Sequence, residues 1–200
     1  MSDLFEEKAK DWDANDRRTR LADAISSSIM ENVPLHEQMT VMDFGAGTGL
    51  ISSAVAPRVK RIIAVDTSRS MLDKLASKPE LKDKVEIRCG DILDEPLDMR
   101  FDLIMSAMTM HHVEDTARLI EKLAEHLNDS GMVALADLDK EDGSFHPADT
   151  EGVFHFGFER DGLYTALEDH GFADIRFFTA HTINGDTKDY PVFLVTARKA

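Results

Sequence analysis

Short apolar runs alternate with helical patterns along most of this chain. Residues 2–32 read as helical, with Leu21, Ala24, Ile25, Ser28 and Ile29 on one face. Pro34 interrupts that pattern before Val41-Met42-Asp43-Phe44, a buried strand that runs into Gly45-Ala46-Gly47-Thr48-Gly49. A helix over roughly 49–57 follows and ends near Pro57. Arg61–Asp66 is a second apolar run, closed by an acid. Ser68 caps a helix whose inner face carries Met71, Leu72 and Leu75, and Pro79 comes after it. Val85–Cys89 alternates like a strand, and Gly90-Asp91-Ile92 closes it. Residues 101–106 form a fourth strand. Asp115 or Thr116 then opens a helix with an apolar stripe of Leu119, Ile120, Leu123, Ala124 and Leu127. Asn128-Asp129-Ser130-Gly131 ends it as a turn, and 132–138 is a fifth strand.

Strands that alternate with helices in this way predict a parallel, doubly wound sheet. The last third departs from the rhythm. Residues 139–158 are rich in Gly, Asp, His and Phe and have no regular period, and a segment that long inside a compact domain is usually functional. It reads as a flap on the substrate side. A helix over 159–170 leads to Gly171 and a strand over 172–183. Asn184-Gly185-Asp186 is a hairpin turn, and 190–197 returns as a strand. A tight turn forces that pair to be antiparallel.

Composition narrows the function classes. Two hundred residues suit a single domain, 1–200, with 1–33 as an N-terminal helical arm. The formal net charge is -15, from 23 basic and 38 acidic residues. Such a surface repels phosphate backbones, so no nucleic-acid partner is expected. One cysteine, Cys89, excludes an internal disulfide and fits a reducing compartment. The first residues are acidic, and no apolar run approaches the ~18 residues of a membrane span. A cytoplasmic protein without a membrane partner is expected, as a monomer or a homodimer.

The glycines carry the candidate chemistry. Without a Cβ, a glycine at a strand end lets backbone approach a ligand and adopt positive φ. A dinucleotide fingerprint would need its third glycine at position 50, which is Leu50, and a P-loop would need a lysine that is absent. Asp66 stands 17 residues after Gly49, where an acid at a strand tip accepts ribose hydroxyls. That acid alone does not separate a nicotinamide dinucleotide from other nucleosides.

Asp43-x-Gly45-x-Gly47-x-Gly49 resembles motif I of class I S-adenosylmethionine-dependent methyltransferases. With Asp66 and the order of elements, residues 40–200 resemble a small stand-alone member, similar to the ubiquinone- and menaquinone-biosynthesis methyltransferases. The resemblance implies an α/β, Rossmann-like, doubly wound seven-stranded sheet of order 3-2-1-4-5-7-6 with strand 7 antiparallel. It implies S-adenosylmethionine as cofactor, S-adenosylhomocysteine as product, and a small-molecule acceptor. It also implies cofactor contacts at Asp43, Gly45, Ala46, Gly47 and Gly49, then at Asp66, Thr67 and Met71. Asp91 would accept from the adenine amino group, Ile92 would pack on its ring, and Ser106 would lie beside the methionine part. Ser106-Ala107-Met108-Thr109 departs from the Asn/Asp-Pro-Pro-Tyr of enzymes that methylate amino groups of adenine or glutamine. One cysteine also lacks the thiol cluster of arsenite methylases. A non-catalytic S-adenosylmethionine-binding protein is the alternative. A nicotinamide oxidoreductase is opposed by the glycine spacing and the terminal hairpin.

Methyl transfer is an in-line displacement, so the protein chiefly aligns donor and nucleophile. A base is needed only where the nucleophile must lose a proton. His111 and His112 follow the fourth strand at the open end of the sheet, and an imidazole suits that role near neutral pH. His111 is the expected base, with one of the two rings facing the pocket. His112, His146, His155 and Trp12 are expected on the substrate, with 139–158 and the arm around Trp12 closing over it together. Loop-holding histidines, aromatic packing and a hydrophobic plug are the structural alternatives. Asp137 or Asp139 could orient one imidazole. Three histidines and a carboxylate could hold a metal, but neither E-x-x-H nor H-x₃-H spacing is present, and none is expected.

Overall fold

The computed structural model describes residues 11–147, 150–185 and 187–200. The chain forms β1 (Thr40–Phe44), β2 (Arg61–Asp66), β3 (Val85–Cys89), β4 (Phe101–Ala107), β5 (Leu127–Leu138), β6 (Phe172–Asn184) and β7 (Asp189–Lys199). They lie in one sheet in the order β3-β2-β1-β4-β5-β7-β6. The pairs β1–β2, β2–β3, β1–β4 and β4–β5 are parallel. β7 runs antiparallel to both β5 and β6. The expected seven-stranded order is therefore the observed one. A nicotinamide-binding sheet would have continued with a parallel sixth strand.

The central strands are apolar on both faces because both faces are covered. In β1, Val41 points into one core with Ala64 and Leu103, while Met42 points into the other with Ile63 and Ile104. The first core is closed by α1 (Asp16–Asn32), α2 (Leu50–Val55) and α3 (Arg69–Ala76), through Ile25, Ile29, Val55, Leu72 and Leu75. The second is closed by α4 (Thr116–Glu125) and α5 (Arg160–Asp169), through Leu119, Ile120, Leu123, Leu163 and Leu167. Each such side chain contributes about 1.5–3 kcal/mol on burial. Truncating Ile25 or Leu123 to alanine would cost about 2–5 kcal/mol and loosen a helix from the sheet.

Three local expectations are corrected. The helix read over 2–32 does not extend through 11–15, and the residues before 11 lie outside those described. Asn15 stops it: its Oδ1 accepts from the N–H groups of Arg17 at 3.0 Å and Arg18 at 3.2 Å, so α1 starts at Asp16. Short polar side chains bond the backbone this way and favour caps over helix interiors. Second, 128–131 lies inside β5 rather than before it. Phe101 faces Leu127 and Leu103 faces Met132, so the intervening residues bulge out, with Ser130 at φ 61. Third, Asn184 already pairs with Asp189, which makes the hairpin loop 185–188; Asp186 of the expected turn lies outside the described residues.

The irregular segment 139–158 has tied ends. Asp139 and Phe158 form a single parallel bridge, and Glu141 N–H donates to the Phe156 carbonyl at 2.9 Å. No helix among the described residues is long and apolar enough to cross a membrane.

Candidate functional site

β1, β2 and β4 end side by side, with Phe44 facing Val65 on one flank and Ser106 on the other. A cavity of about 810 Å³ opens over these ends, within the range that holds a small ligand. One half is built by the turn after β1. Gly45 N–H and Ala46 N–H donate to the Val65 carbonyl at 2.8 and 3.0 Å, which folds the turn back over β2. Gly45 has φ 71, and a Cβ there would collide with the Thr109 side chain. Gly47 has φ 53, and a Cβ there would meet nothing within 4 Å, because it faces the opening.

Asp66 at the tip of β2 locks this turn. Its Oδ2 accepts Gly47 N–H and its Oδ1 accepts Ser68 N–H, both at 2.8 Å. Asp66 lines the cavity with Thr67, Met71 and Asp91. Asp91 Oδ1 accepts Leu93 N–H at 2.9 Å. Asp43 sits beneath, 2% exposed, and accepts the Ser52 hydroxyl at 2.6 Å. Burial pushes its carboxyl up to about 7; the Ser52 bond works against that shift and the charge of Asp66 adds to it. Gly49, Ile92 and Ser106 stand behind the cavity wall. Gly49 is the left-handed N-cap of α2 against Leu75, Ile92 is buried in the second core, and the Ser106 hydroxyl donates to the Phe44 carbonyl at 2.8 Å.

The other half begins where β4 ends. Met108 takes φ 55, and a single 3₁₀ turn, Met110–His112, follows. Such a turn spaces successive side chains widely around its axis, so both His111 and His112 reach the cavity, where one ring was expected. His111 is 2% exposed, and its Nδ1 lies 2.7 Å from Asp137 Oδ1. Asp137 also accepts the backbone N–H groups of His111 at 3.2 Å and Leu138 at 2.8 Å. A carboxylate that only accepts selects the Nδ1–H tautomer, leaving Nε2 of His111 for the cavity. Asp139, the other candidate orienter, is held instead by Arg160 in a two-point pair at 2.7 and 2.8 Å.

His112 Nδ1–H donates to the Gly152 carbonyl at 2.6 Å. Burial first, then the neighbouring His111, pushes its imidazole down to about 4, so it is neutral near pH 7. The ring of His146 lies 5.1 Å from that of His111 and 6.1 Å from that of His112. His155 does not join them. Its Nε2 lies 2.9 Å from the Val113 carbonyl and 3.1 Å from that of Glu114, under the loop before α4. The histidines that line the cavity are His111, His112 and His146, and His155, expected on the substrate, is not among them. No group of His, Cys, Asp and Glu among the described residues is arranged to hold a metal ion.

Two stretches roof the cavity. From 139–158, Phe145, His146, Pro147, Thr150 and Glu151 line it. Glu141 fixes that stretch by accepting Gly143 N–H and Ser144 N–H at 2.9 Å and Phe145 N–H at 3.2 Å. From the N-terminal side come Trp12, Asn15, Arg17 and Arg18. Asp13 latches this side down, accepting the Thr48 hydroxyl at 2.6 Å and pairing with Lys78 at 2.9 Å. Sequence reading missed Asp13, Ser52 and Thr109. Ser52 is visible only as a hydroxyl one helical turn past the glycines, and Asp13 is one acid among many.

Comparison with known proteins agrees with this geometry. Residues 14–190 match the family described as a methyltransferase domain. An uncharacterised methyltransferase of Schizosaccharomyces pombe is 33% identical over 135 residues, covering 60% of this chain and 48% of the relative. The malonyl-[acyl-carrier protein] O-methyltransferase of Priestia megaterium is 28% identical over 132 residues, 64% of this chain and 47% of the relative. The chain thus spans about half the length of these two relatives. Among solved structures, DhpI in complex with S-adenosylhomocysteine superposes with a TM-score of 0.78 at 18% identity, over 99% of this chain and 95% of DhpI. A methyltransferase of Haloferax volcanii bound to the activator Trm112 gives 0.75 at 18% identity, over 100% of this chain and 99% of that one. At that identity the two structures speak for the fold.

Proposed function

Because the chain belongs to the methyltransferase-domain family, we propose that it binds S-adenosylmethionine in this cavity and methylates a small-molecule acceptor, leaving S-adenosylhomocysteine. The observation that carries the reading is one cavity that joins the glycine turn and Asp66 to the His111–Asp137 pair. The residues present fit the cofactor: Gly47 leaves the space a Cβ would take, and the carboxylates Asp66 and Asp91 line the same opening.

When bound, S-adenosylmethionine supplies a methyl group already activated on a sulfonium. The chain's own residues do the rest. Asp66 would accept the ribose hydroxyls and Asp91 the adenine amino group, while Asp43 supports the turn from below. His111 would take the acceptor's proton at Nε2. Asp137 holds the ring in the tautomer that can do so. The arm around Trp12 and the stretch around His146 exclude water and hold the acceptor's shape. Proximity of this kind can lower a barrier by about 7–11 kcal/mol at best. A small acceptor is favoured because the roof encloses the site and the chain carries a net charge of -15. Incubation with labelled S-adenosylmethionine and fractionated small metabolites tests this. Label in an acceptor together with S-adenosylhomocysteine supports it; binding without turnover in any fraction would favour a non-catalytic binding protein.

A further inference from the structure

The lining of the cavity is acidic on its nucleoside side, through Asp66 and Asp91, and Glu151 lines its roof. Among the described lining residues its only arginine or lysine side chains are Arg17 and Arg18. His112, held down near 4, adds no charge at neutral pH. Among the described residues no carboxylate pairs with either guanidinium, whereas Arg69, Arg118 and Arg160 each have one. In a chain this acidic, two cations at the cavity that no carboxylate pairs with leave a place for a ligand's charge.

The backbone of both residues and the Arg18 side chain are set in position before any ligand arrives. Asn15 caps the N–H groups of both residues, which fixes the first turn of α1. The Arg18 guanidinium lies 3.8 Å from the centre of the Trp12 ring, and burial lowers its pKa from the ordinary value. Asp13 ties the same stretch to Thr48 and Lys78. Ordering costs on binding are correspondingly reduced.

α1 packs on α2, β6 and β7. Below the arginines its lining face continues with Leu21, Ala22 and Ile25, opposite Phe145 and Ile183. From Phe145 that wall reaches His111 through His146, whose ring lies 4.8 Å from that of Phe145 and 5.1 Å from that of His111. Resting on the methyltransferase reading above, we propose that Arg17 and Arg18 form an anion site for the acceptor: a molecule with a carboxylate or phosphate at the mouth, an apolar body along α1, and its nucleophile at His111. A guanidinium fork suits either oxyanion.

The cofactor's own carboxylate shares this chemistry, and the test separates the two. Benzoate, its neutral isostere benzamide and inorganic phosphate are titrated into the protein saturated with S-adenosylhomocysteine, followed by calorimetry. Benzoate should bind more tightly than benzamide. Arg17→Gln combined with Arg18→Gln should weaken benzoate by about tenfold or more, the scale of a charge-assisted bond, while leaving benzamide and S-adenosylhomocysteine affinity unchanged. Arg18→Lys should recover part of the loss. Equal binding of benzoate and benzamide, or an unaffected double variant, overturns the proposal. Loss of S-adenosylhomocysteine affinity with benzoate unchanged assigns the arginines to the cofactor and also overturns it. If the wild type binds no S-adenosylhomocysteine, the methyltransferase reading fails by itself, and benzoate titrated into the ligand-free protein still reads the anion site.

Discussion

The Asp137 carboxylate, fully buried at the end of β5, holds His111 by both its ring Nδ1 and its backbone N–H, across 26 residues of sequence. One side chain thus fixes the ring's tautomer and the turn that presents it. If His111 is the base, His111→Ala should lower kcat by about 10²–10⁴ with little change in S-adenosylhomocysteine affinity. Asp137→Asn offers an amide donor to Nδ1 and favours the wrong tautomer, so it should also lower kcat. Unchanged turnover in both variants, measured once an acceptor is known, would leave the pair a structural strut.

The glycine turn makes a sharper distinction. Gly45→Ala drives a methyl into Thr109 and should cost about 1–3 kcal/mol of stability from overpacking. Gly47→Ala meets only open space and should cost about 1 kcal/mol, from its left-handed backbone. Its methyl instead enters the cavity, so S-adenosylhomocysteine affinity should fall while the fold persists. Urea melts and calorimetry on the two variants check the contrast; a Gly47→Ala protein that binds normally would contradict the cradle.

Most of the fold was legible because it is written in local signals. The apolar runs, the glycine turn and Asp66 at a fixed distance are all short-range patterns, and the terminal hairpin is a turn chemistry. The roles that depend on distant partners were not. Asp137 and Asp139 look alike in sequence; only the packing of Arg160 against Asp139 decides between them. His155 and His146 share a segment, but His155 faces the α4 loop and His146 faces His111. Asp13 acts through Thr48, 35 residues away, which no periodicity encodes.

Opposite pH dependences should appear at the two perturbed groups. Asp43 is raised from 3.8 to about 7, so the folded chain keeps a proton that the unfolded chain has released, and stability falls as pH rises through that window. His112 is lowered from 6.5 to about 4, so stability is present above 6.5 and falls as pH drops toward 4. Asp43→Asn should therefore gain on the wild type as pH rises, and His112→Gln as pH falls. Denaturant midpoints across the range read the slopes; a pH-independent difference for either variant would contradict the assigned cause.

The roof should respond to ligand as one unit. Limited proteolysis should cut between 141 and 150 and near Trp12, and S-adenosylhomocysteine should slow both cuts. Asp13→Ala frees Thr48 and Lys78, and should speed cleavage near Trp12 and remove part of the protection. Cleavage at the same rate with and without ligand would leave the two stretches as fixed walls.

The central claim is that the glycine turn and Asp66 hold the nucleoside of S-adenosylmethionine. Calorimetric titration of S-adenosylhomocysteine and of NAD into the wild type and Asp66→Ala tests it most directly. S-adenosylhomocysteine should bind and NAD should bind far more weakly or not at all. Asp66→Ala should weaken S-adenosylhomocysteine by about 1.5–3 kcal/mol, the range for hydrogen bonds to a charged group. Tighter binding of NAD, or an S-adenosylhomocysteine affinity that Asp66→Ala leaves unchanged, would contradict the account.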